Sequence, residues 1–449
     1  SSPLKSLFQY IDDHQDQFIQ VRLAEWVAVQ SESSDPAKWI EVEKMLNITA
    51  QRIREMGGSV ELADVGTQQL SSGAVVPVPP VLLAEFPGDP KKATLCIYGH
   101  VDVQPAKKED GWATNPYNLT EISGNLYGRG ATDNKGPVLA WLHAVEVYQA
   151  IEQEIPLNLK FIIEGTEESG SFGLRELIME RNDSFFADVD YIVISDSVWA
   201  SRNPALTYGA RGSVKPCTLL GEKTSLVDHT GKILIPGVTD DVVPLTDSER
   251  KTYQNISFDL EDMKKVVGVK HFLQDTKEEV LMARWRHPSL SIHGIQGAFS
   301  EPGIKTVIPG RVIGKFSIRH VPSMNPPDVE RKVQEHLKQV FNGLRSPNRM
   351  KVTSAIGAKP WVGKLCDNQY VAGGKAIKNV FGMEPELIRE GSTVPILQDF
   401  QEVTGKSVMM LPIGGHDDGE HSKNEKISRY NFIEGTKLFA AYIYELSQV

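Results

Sequence analysis

Apolar runs that stop abruptly at glycine, acid or histidine organise this chain. Residues 94–98 read Thr-Leu-Cys-Ile-Tyr and lead into Gly99-His100. So continuous an apolar run predicts a strand buried on both faces. Residues 157–163, 191–194 and 407–413 repeat the pattern, ending at the motifs Glu164–Gly170, Ser195-Asp196 and His416–His421. Between them lie helical periods. Residues 4–30 and 37–56 are amphipathic, 136–153 place Val138, Leu142, Val145 and Tyr148 on one side, and 429–446 close the chain.

Strands alternating with helices predict an α/β sandwich with a mostly parallel sheet. Sites in such sheets lie beyond the carboxyl ends of the strands. Residues 207–363 read differently, with strands at 289–294, 306–321 and 350–356 and a helix at 327–341. This α+β pattern suggests an inserted lid domain between two parts of the first. The expected division is 1–206, 207–363 and 364–449. Residues 231–275 show no clear long element and read as an extended excursion.

Bulk properties narrow the chemistry. The 449 residues carry a net charge of −10, which argues against nucleic acid or an anionic membrane as partner. No apolar run has the length of a membrane span. Three cysteines, Cys96, Cys217 and Cys366, form no CxxC pair and no disulfide framework. Cys96 is expected to be a core thiol. The start, Ser1-Ser2-Pro3-Leu4, has no initiator Met or signal peptide and reads as a trimmed form. Sequons at Asn47, Asn118, Asn182 and Asn255 lend weak support to secretion.

Taken singly, each strand-end motif has a bland reading. His100-x-Asp102 could be a surface pair, or a ligating imidazole with a carboxylate holding its other nitrogen. Asp133, after Gly128-Arg129-Gly130, could cap a helix or bridge two cations. Glu167-Glu168 could be a solvated turn, or one metal ligand beside one general base. Asp196 and the Asp417–His421 run share this ambiguity, with His416 a weaker candidate than His421. Independent surface groups would scatter, whereas four of the five motifs fall at strand ends. Two histidines and several carboxylates suit two divalent cations such as Zn²⁺ or Mn²⁺.

The set resembles the co-catalytic zinc aminopeptidase, carboxypeptidase and aminoacylase clan, and within it the carnosine dipeptidases. The segments Tyr98-Gly-His-Val-Asp-Val-Gln-Pro105, Leu126-Tyr-Gly-Arg-Gly-Ala-Thr-Asp-Asn-Lys-Gly-Pro137 and Asp418-Gly-Glu-His-Ser-Lys-Asn-Glu425 carry the resemblance. It implies that His100, Asp133, Glu168, Asp196 and His421 bind two metals, zinc foremost and manganese otherwise, with Asp133 bridging. Glu167 would take the proton of the attacking water and Asp102 would orient His100. Arg319 would clamp the substrate carboxylate, with Thr306, Ser392 and Thr393 adding contacts. The implied activity is hydrolysis of a small dipeptide such as β-alanyl-histidine, by a homodimer. Residues 7–12 and 242–245 look more like the secreted, serum-type members than the cytoplasmic ones.

One stretch departs from that family. Its lid opens with a strand ending in Asp-x-His-Ser-Gly and then a long helix, and the histidine reaches the partner's site. Here Tyr208–Ser213 is followed by an unrelated bridge, 214–225, before similar sequence resumes at Leu226. The expectation is that strand, histidine and helix are all lost, exposing a sheet edge. His229 is no substitute on sequence grounds. A metal-binding but catalytically impaired relative, with a binding or regulatory role, is the alternative reading. A metal-buffering protein fits poorly with ligands spread over a defined fold.

Overall fold

The computed structural model describes residues 2–218, 226–297, 299 and 301–449. At its centre, the strand Thr94–His100 is buried along its whole length. Successive side chains serve opposite cores, as a period of two requires. Leu95 and Ile97 join Val138, Leu142 and the closing helix Arg429–Leu446 on one face. Cys96 and Tyr98 join Leu174, Leu177 and Phe400 on the other. Burial pushes the Cys96 thiol up to about 12, so it is an inert core group.

Four parallel strands form the middle of the sheet, in the order Asn158–Glu164, Thr94–His100, Tyr191–Ile194 and Ser407–Met410. Antiparallel strands extend it on both sides. Val81–Glu85 and Ser59–Ala63 lie at one margin; Ala205–Ala210 and Trp361–Val362 lie at the other. Glu386–Glu390 also pairs with Ala205–Ala210, in parallel. The sandwich read from the sequence is therefore present. The helix Lys135–Ala150 is buried on nearly every side rather than amphipathic. Its Trp141 stacks on Phe439 at 3.9 Å and donates Nε1–H to Ser195 Oγ at 3.0 Å. No helix among the described residues is long and apolar enough to cross a membrane.

A separate four-stranded antiparallel sheet runs Ser289–Gln296, Ile313–His320, Gly212–Thr218, Val352–Ile356. The expected strand loss is overturned here. Gly212–Thr218 occupies an interior position, pairing Ser213 with Arg319 on one side and Val214 with Ile356 on the other. A backbone ladder needs extended chain rather than a particular side-chain motif, so the strand persists where the motif does not. Val329, Val333 and Leu337 of the helix Pro326–Gly343 cover the sheet together with Leu226, Ile233, Ile235 and Val238. The remainder of the departure, 219–225, lies outside the described residues. Of the strand expected at 306–321, only Ile313–His320 forms. Pro309-Gly310 interrupts the earlier part, as that pair does in strands generally.

Residues 231–275 are a further correction. Helices form at Asp247–Gln254 and Leu260–Val267, followed by Lys277–Trp285. Each opens on a side-chain cap. Glu249 N–H donates to Thr246 Oγ1 at 3.2 Å, Asp262 N–H to Asp259 Oδ1 at 2.7 Å, and Glu279 N–H to Thr276 Oγ1 at 3.2 Å. Tyr253, Met263, Leu281 and Trp285 pack against Trp199, Ala205 and Ile388, so this segment belongs to the large-sheet body.

Candidate active site

The carboxyl ends of the four parallel strands converge on one cluster. His100 ends its strand, and Asp196 follows Tyr191–Ile194 by two residues. Glu167 and Glu168 open the turn after Asn158–Glu164, and Asp133 precedes the buried helix. His421 lies in the loop after Ser407–Met410, at φ +61°, with Gly419 turning the chain at φ +66°. A non-glycine residue held in the left-handed region is a recurrent feature of functional loops.

Asp133 sits between the two imidazoles. Its Oδ1 lies 3.2 Å from His100 Nε2 and its Oδ2 lies 2.9 Å from His421 Nε2. Asp196 Oδ2 is 3.2 Å from His100 Nε2, and Glu168 Oε2 is 2.9 Å from His421 Nε2. Glu167 Oε2 is 3.5 Å from His100 Nε2. Ligand atoms of His100, Asp133 and Glu168, and again of His100, Glu167 and Asp196, all lie within 4.8 Å of one another. His100 Nε2 is buried and has no hydrogen-bond partner, although it is surrounded by acid oxygens.

The charges are out of balance, and the titration of each group reflects it. Burial favours the neutral acid, and the charges of Asp196, Glu168 and Asp133 add to it, holding Glu167 well above the usual carboxylate range. Burial and Asp133 push Glu168 up to about 8. Burial would raise Asp133 too, but the two imidazoles beside it hold it well below the usual carboxylate range. Hydrogen bonds to Asp133 and Glu168 push His421 up to about 11. Four buried carboxylates facing two imidazoles call for added positive charge. Oxygen and imidazole donors suit divalent cations, whose charge would reverse these shifts.

A second layer holds the ligands in place. His100 Nδ1 lies 3.2 Å from Asp102 Oδ1. Asp102 Oδ2 accepts from Ser33 Oγ at 2.6 Å and from Glu168 N–H at 3.0 Å, and Oδ1 accepts from Glu167 N–H at 3.2 Å. One buried acid thus fixes an imidazole and the turn bearing both glutamates. Glu425 was not singled out from the sequence. Its Oε2 accepts N–H bonds from Gly130 at 2.9 Å, Thr132 at 3.1 Å and Asp133 at 3.2 Å, and Arg129 pairs with its Oε1 at 3.0 Å. The available signal was a glycine-rich turn exposing several N–H groups that need an acceptor. Asp418 does similar work, accepting from Thr132 Oγ1 at 2.7 Å and Gly415 N–H at 2.9 Å. Gln104 Nε2 donates to Glu168 Oε2 at 2.9 Å. His416 stands apart, with Nε2 3.1 Å from Asp262.

The cluster opens into a cleft of about 580 Å³ lined also by Arg319, Ser392, Thr393, Glu390 and Glu420. Arg319 donates to Thr393 Oγ1. Burial, then Glu390, pushes Glu420 up to about 7. Thr306 is not brought in, because it lies exposed on the irregular segment before Ile313 and does not line the cleft.

A cluster of this composition at these strand ends has the donor set of a metal-dependent hydrolase. A profile of the Peptidase family M20/M25/M40 matches residues 96–445, and the chain belongs to that family. It is 52% identical to the Beta-Ala-His dipeptidase of Mus musculus, over 100% of this chain and 96% of that protein. That alignment runs to 475 positions over a chain of 449 residues, so the relative carries residues absent here. It is 40% identical to the Cys-Gly metallodipeptidase DUG1 of Saccharomyces cerevisiae, covering 100% of this chain and 99% of that one. The crystal structure of human carnosine dipeptidase 1 superposes with a TM-score of 0.93 at 52% identity, covering 99% of both chains.

Proposed function

We propose that this chain hydrolyses dipeptides, with β-alanyl-histidine the leading substrate, at a site for two divalent cations, zinc foremost and manganese otherwise. The observation that carries this reading is the Asp133 carboxylate, one oxygen toward His100 and the other toward His421. His100, Asp133 and Asp196 would hold one cation, and His421, Asp133 and Glu168 the other. Bound cations supply Lewis-acid polarisation of the scissile carbonyl and make water a stronger acid. Glu167, close to His100 yet outside the His421 group, takes the proton of the attacking water and passes it to the leaving amine. Arg319, on the cleft wall beside Thr393 and Ser392, receives the substrate carboxylate, which a guanidinium can hold through two hydrogen bonds. The relatives named as Beta-Ala-His dipeptidase support the choice of substrate.

The test is hydrolysis of β-alanyl-histidine by purified protein supplied with Zn²⁺ or Mn²⁺. Turnover should vanish on chelation and return on adding either metal. Protein loaded with two metals per chain and still inert would sink the reading in favour of the impaired relative.

The chain is further read as a secreted homodimer. Asn47, Asn118 and Asn255 of the sequons are exposed, which suits glycan attachment. The outer strand Ser289–Gln296 presents Ile292 and Ile295, and the adjoining segment presents Ile304, Val307 and Ile308, all exposed. An uncovered apolar edge of this kind favours pairing. Light scattering on protein recovered from the culture medium, before and after glycosidase treatment, reads both points. Twice the chain mass plus removable glycan is expected; a bare monomer would refute both.

A further inference from the structure

Arg211 is the single residue between Ala205–Ala210 of the large sheet and Gly212–Thr218 of the small one. Its guanidinium reaches three acceptors on both bodies. Nε donates to Gly391 O at 2.7 Å, and Nη1 donates to His287 O at 3.2 Å and Ser289 Oγ at 3.1 Å. Gly391 leads directly into Ser392 and Thr393 on the cleft wall. Ser289 is the cross-strand neighbour of Arg319, and Ser213, two residues after Arg211, is its neighbour on the other side. Arg211 therefore grips the loop below the substrate contacts and a strand that flanks Arg319, without itself lining the cleft.

We propose that Arg211 is a positioning residue for the carboxylate end of the cleft, setting Arg319 against the Ser392–Thr393 loop across the junction of the two bodies. This rests on the reading of Arg319 given under Proposed function.

The surroundings leave little slack. A Cβ on Gly391 would meet Arg284 O at 2.7 Å, and one on Gly212 would meet Ala358 O and His320 Nε2 at 2.4 Å. Burial, then the neighbouring Arg319, brings Arg211 down to about 10, so it remains charged at neutral pH. A fixed, delocalised fork can satisfy acceptors in several directions at once, whereas a lysine ammonium on a flexible stem is a single point. Arg211→Lys should keep the charge and lose the geometry.

The test compares β-alanyl-histidine with its C-terminal amide, in the metal-loaded protein and in Arg211→Lys. The unmodified chain should prefer the acid. Arg211→Lys should raise KM for the acid about tenfold, the scale of one charge-assisted hydrogen bond. KM for the amide and kcat for both should change less than about twofold on the same scale. Equal effects on acid and amide, or an acid preference that survives Arg211→Lys, would overturn the positioning role. Should Arg211→Lys fail to fold, Ser289→Ala removes one acceptor alone. A smaller rise confined to the acid then supports the role, and an unchanged acid-to-amide ratio overturns it. An unmodified chain that turns over both substrates without preferring the acid would overturn the Arg319 reading and this one together, since Arg211 acts through Arg319. A chain that turns over neither points instead at the catalytic reading; binding of acid and amide, measured by calorimetry in metal-loaded Glu167→Gln with and without Arg211→Lys, then decides the positioning role.

Discussion

Asp133→Asn should leave a folded chain that retains fewer than two cations after dialysis and hydrolyses its dipeptide roughly 10⁴-fold more slowly, the scale of removing one member of a catalytic unit. The two oxygens of Asp133 face different imidazoles, at 3.2 Å and 2.9 Å. Asparagine preserves the outline but turns one oxygen into an NH₂ group, a donor that binds no cation. It also removes the charge that both metal positions would share. Folding should survive, because the backbone N–H of this residue, not its side chain, is what Glu425 accepts. Elemental analysis after dialysis reads the stoichiometry, and unchanged two-metal content with unchanged rate would remove Asp133 from the bridging role.

Glu167→Gln should separate chemistry from metal binding. We expect kcat to fall about 10³-fold, within the range for a lost general acid–base group, with two cations retained and KM nearly unchanged. Glu167 is pressed from three sides by like charge and pushed upward by burial. That environment suits a group that must take up a proton and release it within one cycle. Glutamine is close in shape and cannot accept that proton. Loss of one cation in Glu167→Gln would instead make Glu167 a ligand and transfer the base role elsewhere.

The large sheet was readable because its strands obey a simple rule: buried on both faces, they are apolar throughout and stop where polar chemistry starts. His100, Asp196 and the Glu167-Glu168 pair stand at the ends that rule marks, the family resemblance is what implies their roles, and the structure gathers them with Asp133 and His421. The supporting part of Glu425 has no such signal, because three of its partners are the backbone N–H groups of Gly130, Thr132 and Asp133, which leave no side-chain signature at a fixed spacing. The three helices between Asp247 and Trp285 were missed for a different reason. They are short, so their apolar period hardly repeats, yet Thr246-x-x-Glu249 and Thr276-x-x-Glu279 were available as start signals. Gly212–Thr218 forms although the family's motif is absent, because a missing motif does not imply a missing strand. Hydrogen-bonded pairing depends on the neighbours Ile313–His320 and Val352–Ile356 as much as on the strand's own residues.

The helices from Asp247 to Trp285 pack on the large-sheet body although the chain reaches them from the small sheet and returns to it. Among the described residues the backbone therefore passes between the two bodies four times: at Arg211, between Val238 and Asp247, between Trp285 and Ser289, and between Ile356 and Trp361. A flap on two adjoining strands can swing open about one axis. A body tied at four places moves only if all four connections adjust their torsions together, which favours small shear over wide hinge opening. The cleft should thus keep nearly constant width through a turnover.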